Sequence, residues 1–216
     1  MEWTEIILFT LGGKPVLLVD LLSSLLGLTC VFLAGRNSKY NFWVGYLYTA
    51  ALFFLFWSRN LYANLLLQPI SLAINVLGHW RWTHPKDDER SAADASALKI
   101  GSLKPQEVVS LLVSAVLFGA LWALVLEWLP QRWPDVFAPD PQPWLDSYIL
   151  MATLLAQFLS ARKCWECWIV WLVVNCANIV LYISSGLYVM PIVSALYLAN
   201  GIWSLISWKR KFRRNE

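Results

Sequence analysis

The chain has 216 residues, 58% hydrophobic and only 14% charged, with a mean hydropathy of +0.53. A soluble domain carries about 25% charged residues, and fourteen tryptophans suit bilayer interfaces better than a soluble core. Long apolar runs accompany the shortage of charge, which excludes soluble classes and nucleic-acid binding and points to an all-α integral membrane protein.

Taken in chain order, the opening MEWTEIILFTLGG is acidic and lacks the basic start of a cleaved signal peptide, so residues 1–15 are expected to form an interfacial segment. Spans of about 20 residues, the length a bilayer core demands, then follow at 16–35, 42–58 and 60–82, giving a first three-helix bundle over 16–82. A charged connector over 83–106 (83–105 reads THPKDDERSAADASALKIGSLKP) leads to a linker helix at 107–129. Residues 130–144 hold five prolines and are expected to be a loop, because proline cannot continue a helix. Spans at 145–161, 165–184 and 187–208 make a second bundle over 145–208, followed by a basic tail, 209–216. Seven transmembrane helices are expected in all.

Orientation follows from lysine and arginine. With seven spans, Lys14, Arg59 and Arg132 share one side, and the remaining fourteen of the 17 basic residues share the other. The positive-inside rule therefore sets the N-terminus outside and the C-terminus in the cytoplasm.

The halves repeat. FLAGRNSKYNFWVGY at 32–46 resembles FLSARKCWECWIVW at 158–171, and both 61–82 and 181–203 run Leu-Tyr, then Pro69 or Pro191, then Gly-x-Trp. Allowing a one-residue gap, Trp43 pairs with Trp168, Tyr46 with Trp171 and Ala50 with Asn175. A single linker helix keeps both halves pointing the same way, so the repeats are expected to be parallel, with a substrate site between them near the midplane. Pro69 and Pro191 are matched hinge candidates.

The residues WIVWLVVNCANIVLY at 168–182 place Trp168, Trp171, Asn175, Asn178 and Tyr182 on one helical stripe. Asn64, Gln68, Ser71 and Asn75 do the same in the third span, Tyr197, Asn200 and Gly201 add to this in the seventh, and Trp43 and Tyr46 in the second. An unpaired amide in hydrocarbon costs several kcal/mol, so these amides must face protein or water. Tryptophan faces stack on flat or cationic rings, and amides offer donors and acceptors to a carboxamide or a sugar. The same residues would also serve as glue between helices or as an interfacial belt, in a membrane scaffold that carries nothing.

Asp20, Glu127, Asp146 and Glu166 all stand near span ends, and no span centre is charged. Coupled transporters keep ionisable groups inside the membrane, so passive movement of a neutral or weakly charged solute is the better expectation. Cys164-Trp-Glu-Cys167 has no second pair to complete a metal set, and no catalytic motif occurs, so no metal, cofactor or enzyme activity is expected.

Trp168-x-x-Trp171-x-x-x-Asn175 resembles the WxxWxxxN signature of the PnuC family of bacterial vitamin transporters. Gln68, Asn75 and Gly78-His79-Trp80, the turn Ala161-Arg162-Lys163 and Trp208-Lys209 resemble that family too. The resemblance implies facilitated diffusion of nicotinamide riboside, an NAD precursor, across the bacterial inner membrane, with trapping by cytoplasmic phosphorylation. It also implies a SWEET-like arrangement of two three-helix bundles and a homotrimer. Trp168, Trp171 and Asn175 would then hold the pyridinium ring or its carboxamide, facing Gln68 and Asn75. Thiamine or riboflavin, carried by related members, remains an alternative.

Overall fold

The computed structural model describes residues 6–11, 14–58, 65–91, 94, 96–184 and 189–214. Seven α-helices are described: α1 (Leu18–Gly35), α2 (Asn41–Ser58), α3 (Gln68–Thr83), α4 (Pro105–Arg132), α5 (Pro143–Ala161), α6 (Cys167–Ser184) and α7 (Val189–Arg214). Each falls on one expected span. By length and composition α4, α5 and Pro191–Arg214 are long and apolar enough to cross a membrane, and Leu21–Gly35, Asn41–Trp57 and Cys167–Val180 are shorter apolar helices.

Local chemistry explains several boundaries. Prolines stand in the first turns of α3, α4 and α5, where a missing N–H costs no helical bond. At α4 the Lys104 backbone N–H donates to Glu107 Oε2 at 2.9 Å, satisfying one of the donors at the helix start. Several expectations need correction, among them the separate tail at 209–216, since α7 runs on through it to Arg214. The chain is not wholly α: β1 (Ile7–Leu11) and β2 (Lys14–Leu17) pair antiparallel, so α1 starts at Leu18 rather than 16. The sequence signal was the Gly12-Gly13 pair between two apolar runs. The helix before the proline-rich stretch also runs through Pro130 to Arg132 instead of stopping at 129.

Packing joins α1 to α2, α2 to α3, α3 to α5, α5 to α6, α6 to α7 and α7 back to α1, a closed ring of six helices. Helix α4 stands outside it against α5, where Gly119 leaves room for the Tyr148 ring. Glycines serve similar close approaches elsewhere: a Cβ on Gly78 would meet Phe42 and Ala161 within 2.9 Å.

The α1–α2 and α5–α6 turns match residue for residue. Asn37 N–H donates to Ala34 O and Lys163 N–H to Ser160 O, both at 2.9 Å; Ser38 N–H reaches Leu33 O and Cys164 N–H reaches Leu159 O, both at 3.0 Å. Asn37 and Lys163 hold φ of 60° and 59°, the left-handed region. Phe42 therefore pairs with Trp168, with no gap. The one-residue gap placed in the sequence alignment was a register error, and one residue turns a helix by about 100°. That error put Trp43 and Tyr46 on the wrong face.

Candidate functional site

The ring encloses a cavity of about 480 Å³ lined by α1, α2, α3, α5, α6 and α7. Gln68, Asn75, Trp168, Trp171, Asn175, Asn178 and Tyr197 all line it, as their helical phases predict. Among the described residues, none that lines it is charged. Trp43, Tyr46 and Asn200 are not on its wall. Trp43 is 60% exposed, Tyr46 Oη shares a hydrogen bond of 2.9 Å with His79 Nδ1, and the buried Nδ2 of Asn200 has no partner among the described residues. The side chain of Tyr182, and Asn64, lie outside what the structure describes.

In the corrected register α2 and α6 face the cavity with matched positions. Phe42 answers Trp168, Gly45 answers Trp171, Thr49 answers Asn175 and Leu52 answers Asn178, all on the wall. One side thus presents indoles and amides where the other presents a glycine and a hydroxyl. A site this lopsided suits an asymmetric solute.

Gly45 has a specific job. A Cβ there would come within 2.8 Å of Asn75 Nδ2, so the glycine leaves room for the Asn75 amide between α2 and α3. That amide donates to Phe42 O at 3.3 Å. Gly27 likewise leaves space for the Tyr197 hydroxyl beside Tyr48, drawing α1, α2 and α7 together on one wall. Asn175 is 6% exposed, and its Nδ2 donates to Trp171 O at 2.8 Å, which leaves the amide oxygen to offer to a donor on a solute. Trp168 is 1% exposed, and its Nε1–H has no acceptor among the described residues. A buried donor left unpaired costs about 1–3 kcal/mol.

Sequence reading missed α5. Thr153, Gln157 and Ser160 line the cavity at i, i+4 and i+7, and Gln157 Oε1 accepts from Ser71 Oγ at 2.8 Å. The stripe was present in the sequence, but without any tryptophan to draw attention to it. Ser23, Ser24, Asn41, Tyr48 and Ser194 add to the polar lining.

Residues 17–210 match the family model described as nicotinamide mononucleotide transporter. The nicotinamide riboside transporter PnuC of Escherichia coli (strain K12) is 24% identical over 204 residues, covering 84% of this chain and 80% of that protein. The riboflavin/roseoflavin transporter RibM of Streptomyces davaonensis is 25% identical over 220 residues, covering 100% and 96%. A crystal structure of the vitamin B3 transporter PnuC shares the fold, with a TM-score of 0.68 at 19% identity over 92% of this chain and 83% of that one.

Proposed function

The chain belongs to the nicotinamide mononucleotide transporter family of membrane proteins, in which PnuC stands, and from that premise we propose that it carries nicotinamide riboside across the bacterial inner membrane by facilitated diffusion. The observation that carries the substrate is the uncharged cavity wall with Trp168 and Trp171 beside Asn175, Asn178, Gln68 and Asn75. A pyridinium is flat and cationic, and an indole face attracts such a ring by about 0.5–2 kcal/mol. The amides answer its carboxamide and ribose hydroxyls, which want donors and acceptors together.

The absence of charge on the described wall supports uncoupled movement. A carrier of this kind only equilibrates its solute, so net uptake needs a chemical step inside, such as phosphorylation by a cytoplasmic kinase. The N-terminus lies outside and the C-terminus, with its basic tail, in the cytoplasm. Bundles 16–82 and 145–208 form a SWEET-like pair joined by α4, and the working unit is a homotrimer. The ring of contacts supports this pairing, because it is unchanged when α1, α2 and α3 are exchanged with α5, α6 and α7.

A second reading has its own support: the riboflavin relative is matched over this chain's whole length. Calorimetry with nicotinamide riboside, thiamine and riboflavin separates the candidates. Nicotinamide riboside is expected to bind selectively, and a Trp171→Ala, Asn175→Ala variant is expected to lose it. Selective binding of another vitamin would keep the cavity and change its cargo; binding of none would return the stripe to helix packing.

A further inference from the structure

One end of the cavity is closed by aromatic rings. Phe42 and Trp168, both on the wall, meet Trp82 and Trp208 edge-on at centroid distances of 5.1 and 5.5 Å, and the latter two meet at 5.9 Å. Trp82 Nε1–H donates to Ser160 O at 3.2 Å and Trp208 Nε1–H to Gly35 O at 3.0 Å, so each indole is fixed to the end of a neighbouring helix.

Residues 96–103 of the α3–α4 connector pack against this floor. The connector's sequence is charged, yet Leu98 and Ile100 are 3% and 5% exposed and share one buried cluster with Phe42, Trp82, Trp168 and Trp208. Fastenings to the α5–α6 turn hold it there. Lys163 Nζ donates to Leu98 O at 2.7 Å while lying 4.6 Å from the Trp82 ring centre. Gly101 N–H donates to Lys163 O at 3.0 Å, and Trp165 N–H donates to Gly101 O at 3.2 Å. Glu166 accepts from Ser102 Oγ and from Leu103 N–H, and Arg162 pairs with Glu107 at 2.7 Å.

The matching α1–α2 turn has Asn37 in place of Lys163, and the Asn37 side-chain amide is buried with no partner among the described residues. The floor draws rings from both halves, but the latch on it is built on the second half alone. The four rings stand between the cavity and this end, and Lys163 lies over the Trp82 ring while Leu98 shares its buried cluster.

We propose that residues 96–103 of the α3–α4 connector form a movable plug for this end of the cavity, latched by Lys163 and released when the solute passes. The plug rests on the transport reading above and assigns the gate to a segment outside the helix ring. A latch of a few hydrogen bonds can open and reclose on the microsecond-to-millisecond scale of such motions. Burial also pushes the Lys163 amine down to about 8, with Lys211 adding to the fall and Asp94 opposing it, so the latch sits near the edge of losing its charge.

Two experiments test the plug. Cys164 is 4% exposed behind the latch. In protein with Cys30, Cys167 and Cys176 replaced by serine, Lys163→Met is expected to raise its rate of modification by a small thiol reagent about tenfold, the change in opening expected when one charge-assisted hydrogen bond goes. An unchanged rate would overturn the latch. Separately, Ser102→Cys with Glu166→Cys, in a chain whose four native cysteines are serine, is joined by a cleavable bifunctional thiol reagent. Linked protein is expected to bind vitamin, to lose transport in liposomes and to regain it on cleavage; linked protein that transports at the unlinked rate would overturn the plug. If unlinked protein moves no vitamin, the transport reading fails, while the Cys164 rate still decides the latch.

Discussion

Gly45 gives the clearest single-residue prediction. Alanine there would place a methyl within 2.8 Å of Asn75 Nδ2 and push the amide off its position on the wall. Gly45→Ala is expected to weaken vitamin binding roughly tenfold, the scale of one misplaced polar contact; calorimetry giving wild-type affinity would separate Asn75 from the solute. Lys163 makes a prediction in pH. Its folded pKa, about 8, lies below the ordinary 10.5, so the unfolded chain binds more protons between those values and stability rises with pH across that window. Thermal midpoints are expected to climb from pH 8 to 10 in wild type and to flatten in Lys163→Met; parallel curves would mean that the amine is not held buried. At this scale the sequence was informative where a helical period could be counted, as for Trp168, Trp171 and Asn175. It misled at Trp43 and Tyr46, because a pairing by residue type rewarded Trp on Trp. The matched turn bonds, which exist only in the folded chain, pair Phe42 with Trp168 instead.

Among the elements, the two matched turns matter most. Asn37 at φ 60° pays a left-handed penalty that glycine escapes and alanine does not. Asn37→Ala is expected to destabilise the protein by about 1 kcal/mol and Asn37→Gly to leave it unchanged or firmer, read from unfolding midpoints; equal loss in both would mean that the buried amide, not the backbone, holds the turn. Pro69 stands in the first turn of α3, where it removes no helical hydrogen bond. The repeat in sequence made Pro69 and Pro191 look like a matched pair, whereas the movable element assigned here is the connector. Apolar run length was enough to find seven helices. The β1–β2 hairpin was not found, because a greasy opening next to a span reads as more of the same.

At the scale of the whole molecule, six helices close a ring around an uncharged cavity while α4 stands apart, and the two halves differ in what they give that cavity. The α2 side supplies Gly45 and Thr49 where the α6 side supplies Trp171 and Asn175, and only the second half carries Lys163 and the plug it holds. Ring closure was implicit in the repeat; the cavity's size and its α5 wall were not, since they depend on how far neighbouring helices approach. The central claim is that this cavity moves a flat vitamin without help from an ion gradient. The most direct measurement is counterflow of labelled nicotinamide riboside into liposomes holding the purified protein, with no ion gradient imposed, beside the Trp171→Ala, Asn175→Ala variant. Exchange that needs no gradient and disappears in the variant is the predicted result. Exchange that appears only when a proton or sodium gradient is applied, or that survives in the variant, would contradict the account.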